Sequence, residues 1–467
     1  MGLRLYDTHG RTARDFTPRI PGMVSIYLCG PTVVVPPHVG QIRSQVSFDI
    51  LHRWLRTKGY KVLLCRNVTD IEDKIIGRSL SEGKPWWRIT DPVYRSFART
   101  YATLGCLPPS VEPRATGHIP EMIEMIEELV AAGHAYESDG NVYFSVDSYA
   151  DYGSLSRQQA KHMRITEENE RGKRDPRDFA LWKRAKPGEP FWTAPWGEGR
   201  PGWHLECSAM ARKYLGAEFD IHGGGANLIF PHHENEIAQS RAAGDSFARF
   251  WLHNGPVTHR GEKIRKHVRN PLAVPALLDR IRPVELRYYL AAAHYRSPME
   301  FSVEAVEEAA TAYRRIERFV LRVASPAGAG TGSGLGSDVV PGLVTELPAQ
   351  FSGAMDNDLN VSQALSAVHA AVGEGNAALG SGDEERAAGK CRSVRAMLNV
   401  LGLDPMSENW ARETHLQDVA GAVLRVAKNL AAASAAQGDH ERARIMELQI
   451  DMALRKRRQI KHSALIR

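Results

Sequence analysis

Three stretches of the chain hold side chains whose types and spacing could do chemistry. The first is a dispersed set of metal-ligating residues. Cys29 closes the apolar run Val24–Cys29, and Cys207 lies within Gly202-Trp-His-Leu-Glu-Cys-Ser208. Pro231-His-His-Glu-Asn-Glu236 follows a cluster of three glycines, Gly223 to Gly225. Proline is favoured at the first position of a helix, so the pattern predicts a helix over 232–240. On that helix His232 and Glu236 stand four residues apart and share a face. Two thiolates, one imidazole and one carboxylate form a plausible tetrahedral zinc set. Each element has a plainer reading, since a buried cysteine is usually structural and a His/Glu pair at this spacing often lies on a solvated helix. The segment lacks the H-E-x-x-H pattern, which argues against a metalloprotease.

The second stretch is Pro37-His-Val-Gly-Gln41. Gly40 would let a phosphate approach the backbone, the start of a helix would favour its charge, and His38 could donate to a phosphoryl oxygen. A plain turn is the alternative. The third stretch is Arg260-Gly-Glu-Lys-Ile-Arg-Lys-His-Val-Arg269, with six potentially cationic side chains and Glu262 the only acid. Lysines on such a loop suit charge developing on a leaving pyrophosphate, although a solvated basic loop has the same composition.

The elements that must position these groups read as an α/β chain. Residues 24–29 form a short buried strand ending in the turn Gly30-Pro31-Thr32. Helical periodicity runs over 41–58 (Ile42, Val46, Ile50, Trp54), and a second strand occupies 61–65. Strand, turn, helix and strand make a βαβ unit of a parallel, Rossmann-like sheet. A helical run at 119–132 and a strand at 141–146 follow, then a weakly periodic stretch over 151–200 that looks like an insertion. Order returns with a helix at 203–215 and further helices at 272–323. The composition of 325–338 marks a flexible linker, and 345–467 reads as Ala-rich helix. The resulting division is 1–114 and 201–271 as the two halves of a catalytic domain, 115–200 as an insertion and 272–324 as a helical connector. The linker follows, and 339–467 is a C-terminal helical domain.

Composition bounds the partners. The 467 residues carry a net charge of +6, which permits a polyanion without requiring one. No apolar stretch is long enough to cross a membrane, and the N-terminus lacks the apolar core of a secretory signal. Five widely spaced cysteines argue for reduced thiols. The expectation is a cytoplasmic protein without a membrane partner. The final thirteen residues, RKRRQIKHSALIR, carry six basic and no acidic side chains, either a solvated tail or a polyanion contact.

Taken together, these blocks resemble the bacterial cysteine–tRNA ligases, a family of class I synthetases, over roughly residues 20–370. The blocks are Cys29-Gly-Pro-Thr-Val33, His38-Val-Gly-Gln41, Asn67-Val-Thr-Asp-Ile-Glu-Asp-Lys74 and Asp175-Pro-Arg-Asp-Phe-Ala-Leu-Trp-Lys183. Arg200–Met210, Phe219–Gly225, Phe230–Gln239, His253-Asn-Gly255 and Met355–Asn360 continue the likeness. The resemblance implies zinc on Cys29, Cys207, His232 and Glu236. It implies an L-cysteine pocket lined by Gly30, Thr69, Trp203 and His233. ATP, accompanied by Mg²⁺, would meet His38, Gly40, Gln41, Gly223, Gly224, Asn227, Lys263 and Lys266, with His38, Lys263 and Lys266 acting in catalysis. The implied reaction is attack of the cysteine carboxylate on the α-phosphate, then acyl transfer to tRNA, by a monomeric enzyme.

The departures from the family pattern fall in the ATP half and at the C-terminus. Gln41 replaces the second histidine of the HIGH signature, and the KMSKS region reads Lys263-Ile-Arg-Lys-His267 followed by Val268-Arg269. Ala226-Asn227 stands where a Ser-Asp pair is usual, Val34-Val35 replaces Tyr-Asp, and the family's C-terminal segment has no counterpart. Two other readings follow from these changes: a cysteine-activating paralogue that acylates a non-tRNA acceptor such as an amine, or a non-catalytic cysteine- or tRNA-binding homologue. If Arg265 and His267 impair the loop, replacing both by serine speeds cysteine-dependent ATP–pyrophosphate exchange; an unchanged rate means that the present loop is already competent.

Overall fold

The computed structural model describes residues 2–158, 172–264, 273–324 and 346–410. At its centre lies a four-stranded parallel sheet built from β1 (Met23–Leu28), β2 (Lys61–Arg66), β3 (Glu218–Gly225) and β4 (Phe247–Asn254), in the order β4-β3-β1-β2. Ile26 of β1 sits in register between Ile221 of β3 and Leu64 of β2. Helix α1 (Val39–Thr57) carries the chain from β1 to β2 on one side. The chain then makes an excursion and returns through α2 (Trp203–Leu215) to β3, on the opposite side of β1. The strand order therefore reverses at β1, and Cys29 is the first residue beyond its carboxyl end. Open parallel sheets bind their ligands at such a switch point.

Alternation along the strands divides the core. Val24, Ile26 and Leu28 face a cluster that continues through Leu286 and Tyr313 to Val368 and Leu401. Tyr27 and Cys65 face the other way, toward Leu205 and Met210 of α2 and Met122 and Phe144 of the excursion. The sheet is thus covered on both faces, as its near-continuous apolar strands require.

The excursion holds a helix, Ile119–Ala131, and a five-stranded antiparallel sheet. Three of those strands, Phe179–Arg184, Trp192–Ala194 and Gly197–Pro201, fall in the stretch whose sequence shows weak periodicity. They are short and broken by Gly and Pro turns, so alternation is too brief to register. Past β4 come helices Pro283–Ala292, Val303–Ala324, Ala349–Asp356, Val361–Gly380 and Glu384–Leu401. The linker and the basic tail read from the sequence lie outside the described residues.

A buried ion pair joins these helices to α1. Arg287 and Asp49 are both buried and bond to each other through Nη2 and Oδ2. Arg287 also donates to the carbonyls of Leu401, at 2.8 Å from Nη2, and Leu104, at 3.0 Å from Nη1. A Cβ at Gly402 would lie 2.3 Å from that guanidinium, so the turn after the helix Glu384–Leu401 must be glycine. Burial opposes ionisation of Asp49, but Arg287 and Arg53 hold its carboxyl below the usual range. Arg287→Met leaves Asp49 to Arg53 alone, 2.8 Å away, and costs about 3 kcal/mol, the low end for a broken buried pair. Urea unfolding measures it, and a loss below about 1 kcal/mol, the size of a surface pair, would contradict the assignment.

Candidate metal centre and substrate cavity

The four residues singled out as metal ligands converge, although they come from three separate parts of the chain. Cys29 is fixed beyond β1 by its backbone N–H, which donates to the Gly223 carbonyl at 3.0 Å. Cys207 lies one turn into α2. His232 sits in a wide turn, Ile229–His233, just ahead of α3 (Glu234–Ala242). The helix therefore opens two residues later than the sequence pattern suggests, because Phe230 is extended. The turn still stacks His232 over Glu236, with Nε2 and Oε1 3.1 Å apart.

The spacing fits a metal. Cys29 Sγ and Cys207 Sγ are 3.8 Å apart, Cys207 Sγ and His232 Nε2 3.5 Å, and Cys29 Sγ and Glu236 Oε1 3.7 Å. A tetrahedron with Zn–S of about 2.3 Å and Zn–N of about 2.0 Å has edges of about 3.8 Å between sulfurs and about 3.5 Å between sulfur and nitrogen. All four donor atoms lie within 4.8 Å of one another. Cys29, His222, His233 and Glu236 form a second, overlapping group. The first group is the better zinc set because it supplies two sulfurs and because Cys29, Cys207 and His232 line the cavity described below.

Further side chains orient the donors. Ligation through His232 Nε2 leaves the proton on Nδ1, which then donates to His204 Nδ1 at 2.8 Å. Glu236 turns Oε1 toward the thiols, while Oε2 accepts from His222 Nε2 at 2.7 Å. Burial pushes the Cys29 thiol well above its ordinary value, raises that of Cys207, and drives His232 and His233 well below theirs. The imidazoles are thus neutral, as a ligand must be, and the thiols need a cation before they ionise.

A cavity of about 760 Å³ opens from this cluster across the carboxyl ends of the sheet. Gly30, Thr69 and Trp203 line it near the metal ligands. A Cβ on Gly30 would fall 1.6 Å from the Asn67 carbonyl oxygen, and the Gly30 N–H donates to Asn67 Oδ1 at 2.7 Å. Asn67 Nδ2 donates to Thr69 Oγ1, which donates in turn to the buried Glu206 at 2.9 Å. Trp203 stacks on His232 with ring centroids 4.2 Å apart and remains 38% exposed, open to a ligand on its other face.

At the far end the cavity is lined by His38, Gly40, Gln41 and Asn227, with Asn254 to Val257 as a wall. Gln41 Oε1 accepts from the His38 N–H at 3.2 Å, so the residue that replaces a histidine caps the start of α1. The other residues named from sequence stand differently. His233 is fully buried behind Cys29, its Nε2 3.3 Å from the sulfur, and is absent from the lining. Gly223 and Gly224 also stand back from the lining: a Cβ on Gly223 would meet the Phe48 ring at 2.2 Å, and one on Gly224 would meet His233 at 2.9 Å. Lys263 pairs through its backbone with Thr258, and Lys266 lies outside the described residues. Val34 and Val35 are buried against Ile75.

Sequence reasoning gave no role to His204, His222, Asn67, Glu206 or Asn254. His204 and Glu206 flank Cys207 in the same block, and Asn67 opens the Asn67–Lys74 block, so proximity to assigned residues was the available signal. His222 lies in the Phe219–Gly225 block, but its partner Glu236 is on the helix α3, so no local pattern pairs the two.

Comparison with known proteins bears on this arrangement. Residues 15–311 match the family described as the tRNA synthetases class I (C) catalytic domain, and residues 350–403 match the DALR domain. The cysteine–tRNA ligase of Streptomyces avermitilis is 56% identical over 417 residues, covering 88% of this chain and 87% of its own. That of Streptomyces griseus subsp. griseus is 56% identical over 414 residues, with the same coverage. Among solved structures, the Mycobacterium tuberculosis methionyl-tRNA synthetase bound by methionyl-adenylate is similar in fold, with a TM-score of 0.55 at 15% identity, covering 82% of this chain and 92% of that one.

Proposed function

The chain belongs to the cysteine–tRNA ligases of class I, and from that premise we propose which of its residues carry each part of the reaction. The activity is ATP-dependent formation of cysteinyl-adenylate, followed by transfer of the cysteinyl group to tRNA. The relatives give no support to an amine acceptor or to a non-catalytic role. The observation that carries the assignment of roles is the placement of the Cys29–Cys207–His232–Glu236 cluster at one end of a cavity whose other end holds His38.

These four residues would hold zinc, which when bound offers the substrate a centre that prefers a thiolate to a hydroxyl. An apolar pocket separates near-isosteres by only about 10²-fold, so selection against serine falls to this centre. Thr69 and Trp203 line the space for the rest of cysteine, and His233 holds the wall behind Cys29. The carboxylate then points toward α1. There His38 donates to phosphoryl oxygens, and Gly40 leaves the helix start open to the phosphate charge. Gln41 and Asn227 border the nucleotide, while Gly223 and Gly224 keep β3 close to α1 and His233. Lys263 and Lys266 would neutralise the departing pyrophosphate, to which Mg²⁺ would supply further positive charge.

We read 115–200 as the insertion within the catalytic domain, 272–324 as the connector, and 339–467 as the segment that meets tRNA through the DALR domain. The described residues contain no helix long and apolar enough to cross a membrane, and we place the enzyme in the cytoplasm as a monomer.

Zinc content and cysteine-dependent ATP–pyrophosphate exchange test the assignment, followed by acylation of tRNA. Cys207→Ser loses zinc and cysteine-over-serine selectivity together. The loss exceeds the about 10–100-fold that removing a ligand's hydrogen-bond partner costs. Normal activity and selectivity in a zinc-free Cys207→Ser protein would refute the metal's role.

A further inference from the structure

Arg43 lies one turn beyond Gly40 on α1 and is 0% exposed. Its Nη1 donates to the carbonyls of Gly255 at 3.0 Å and Pro256 at 3.2 Å, and its Nη2 to the carbonyl of His294 at 3.1 Å. Among the described residues no carboxylate pairs with it. Arg287, equally buried, has Asp49. Burial pulls the Arg43 guanidinium down to about 10, which still leaves it charged at neutral pH. A buried cation held by carbonyls alone is costly, and an apolar residue could fill the space more cheaply. The position therefore asks for what only a guanidinium offers: a rigid planar fork that donates to several acceptors at once.

The three acceptors explain the demand. Gly255 and Pro256 form the wall of the cavity's far end and lead directly into the strand Val257–His259. That strand pairs with Glu262–Lys263, Thr258 opposite Lys263. Gly255 is wedged against the segment that follows His294: its N–H donates to the Tyr295 carbonyl at 2.8 Å, and a Cβ there would lie 2.3 Å from the Ser297 carbonyl oxygen. Arg43 is thus a polar tie between the helix that starts at His38 and the hairpin that delivers Lys263.

We propose that Arg43 is a positioning residue for the adenylation step, fixing the distance between the His38 end of α1 and the Gly255–Lys263 segment on the two sides of the triphosphate. It touches no substrate and acts through those two segments. The proposal rests on reading this end of the cavity as the ATP site. A misplacement of about 1 Å at reacting groups can cost about 10²-fold in rate, so kcat falls steeply while the rise in KM is confined to ATP.

The test is steady-state ATP–pyrophosphate exchange by the full chain carrying Arg43→Lys or Arg43→Met, with zinc content and thermal unfolding measured in parallel. Lysine keeps a charge and some donors, and methionine keeps only the volume. The expected result is that Arg43→Lys folds with zinc bound, keeps the KM for cysteine within about twofold, and shows a raised KM for ATP and a kcat lowered about 10²-fold. Arg43→Met follows with a larger effect. Unchanged kinetics, equal rises in the KM for ATP and for cysteine, or loss of zinc and of cooperative unfolding in both variants would overturn the proposal, the last by reducing Arg43 to a stability role. Absence of exchange by the unsubstituted protein would instead remove the ATP reading beneath it.

Discussion

Two thiols, an imidazole and a carboxylate brought within one coordination sphere, and buried there, make an arrangement that a protein cannot hold cheaply without a cation. Desolvation penalises every charged form in the group, and the neutral forms do not bond well enough to each other to justify the convergence. The rest of the catalytic domain can be understood as satisfying this one constraint. The switch in strand order places Cys29 at an opening between β1 and β3. Helix α2 brings Cys207 up from one side, and the wide turn before α3 lowers His232 from another. His204 and His222 then fix which nitrogen and which oxygen face inward.

The other half of the cavity is governed by α1, whose buried polar residues tie it to three other parts of the chain. Asp49 reaches Arg287 and through it the end of the C-terminal helices, while Arg43 reaches the wall beyond β4 and the segment at His294. A helix gripped at both points cannot shift relative to the sheet without breaking a buried charged contact. That rigidity suits a reaction in which the amino acid is held at one end of the cavity and the nucleotide at the other. The same architecture connects the DALR domain to the cavity through packed side chains, with Leu401 and Gly402 closing on Arg287.

Much of this was legible in the sequence, and the reasons differ by element. The strand at 24–29 and the helix at 203–215 declared themselves through apolar runs and periodicity. Residue type and spacing made Cys29, Cys207, His232 and Glu236 only a plausible metal set, each with a plainer reading, and the family resemblance is what singled the four out together. The strands of the insertion stayed hidden because each is only a few residues long. His222 stayed hidden because its partner, Glu236, is brought to it only by the tertiary fold. The resemblance implies that Gly223 and Gly224 meet ATP, whereas in the fold Phe48 and His233 occupy the space that side chains would need. In the sequence Gln41 is a departure from the family signature that gives up a chargeable side chain. Its capping bond to His38 gives it a structural use at the same position.

In the proposed mechanism Cys29 and Cys207 act as one metal site that also receives the sulfur of the substrate. X-ray absorption at the zinc edge tests it most directly, because it counts sulfur neighbours without reference to activity. The expected result is two sulfurs and a remainder of nitrogen and oxygen in the zinc-loaded protein, rising to three sulfurs when cysteine is added. A shell of nitrogen and oxygen alone, or a sulfur count that does not change with cysteine, would contradict it.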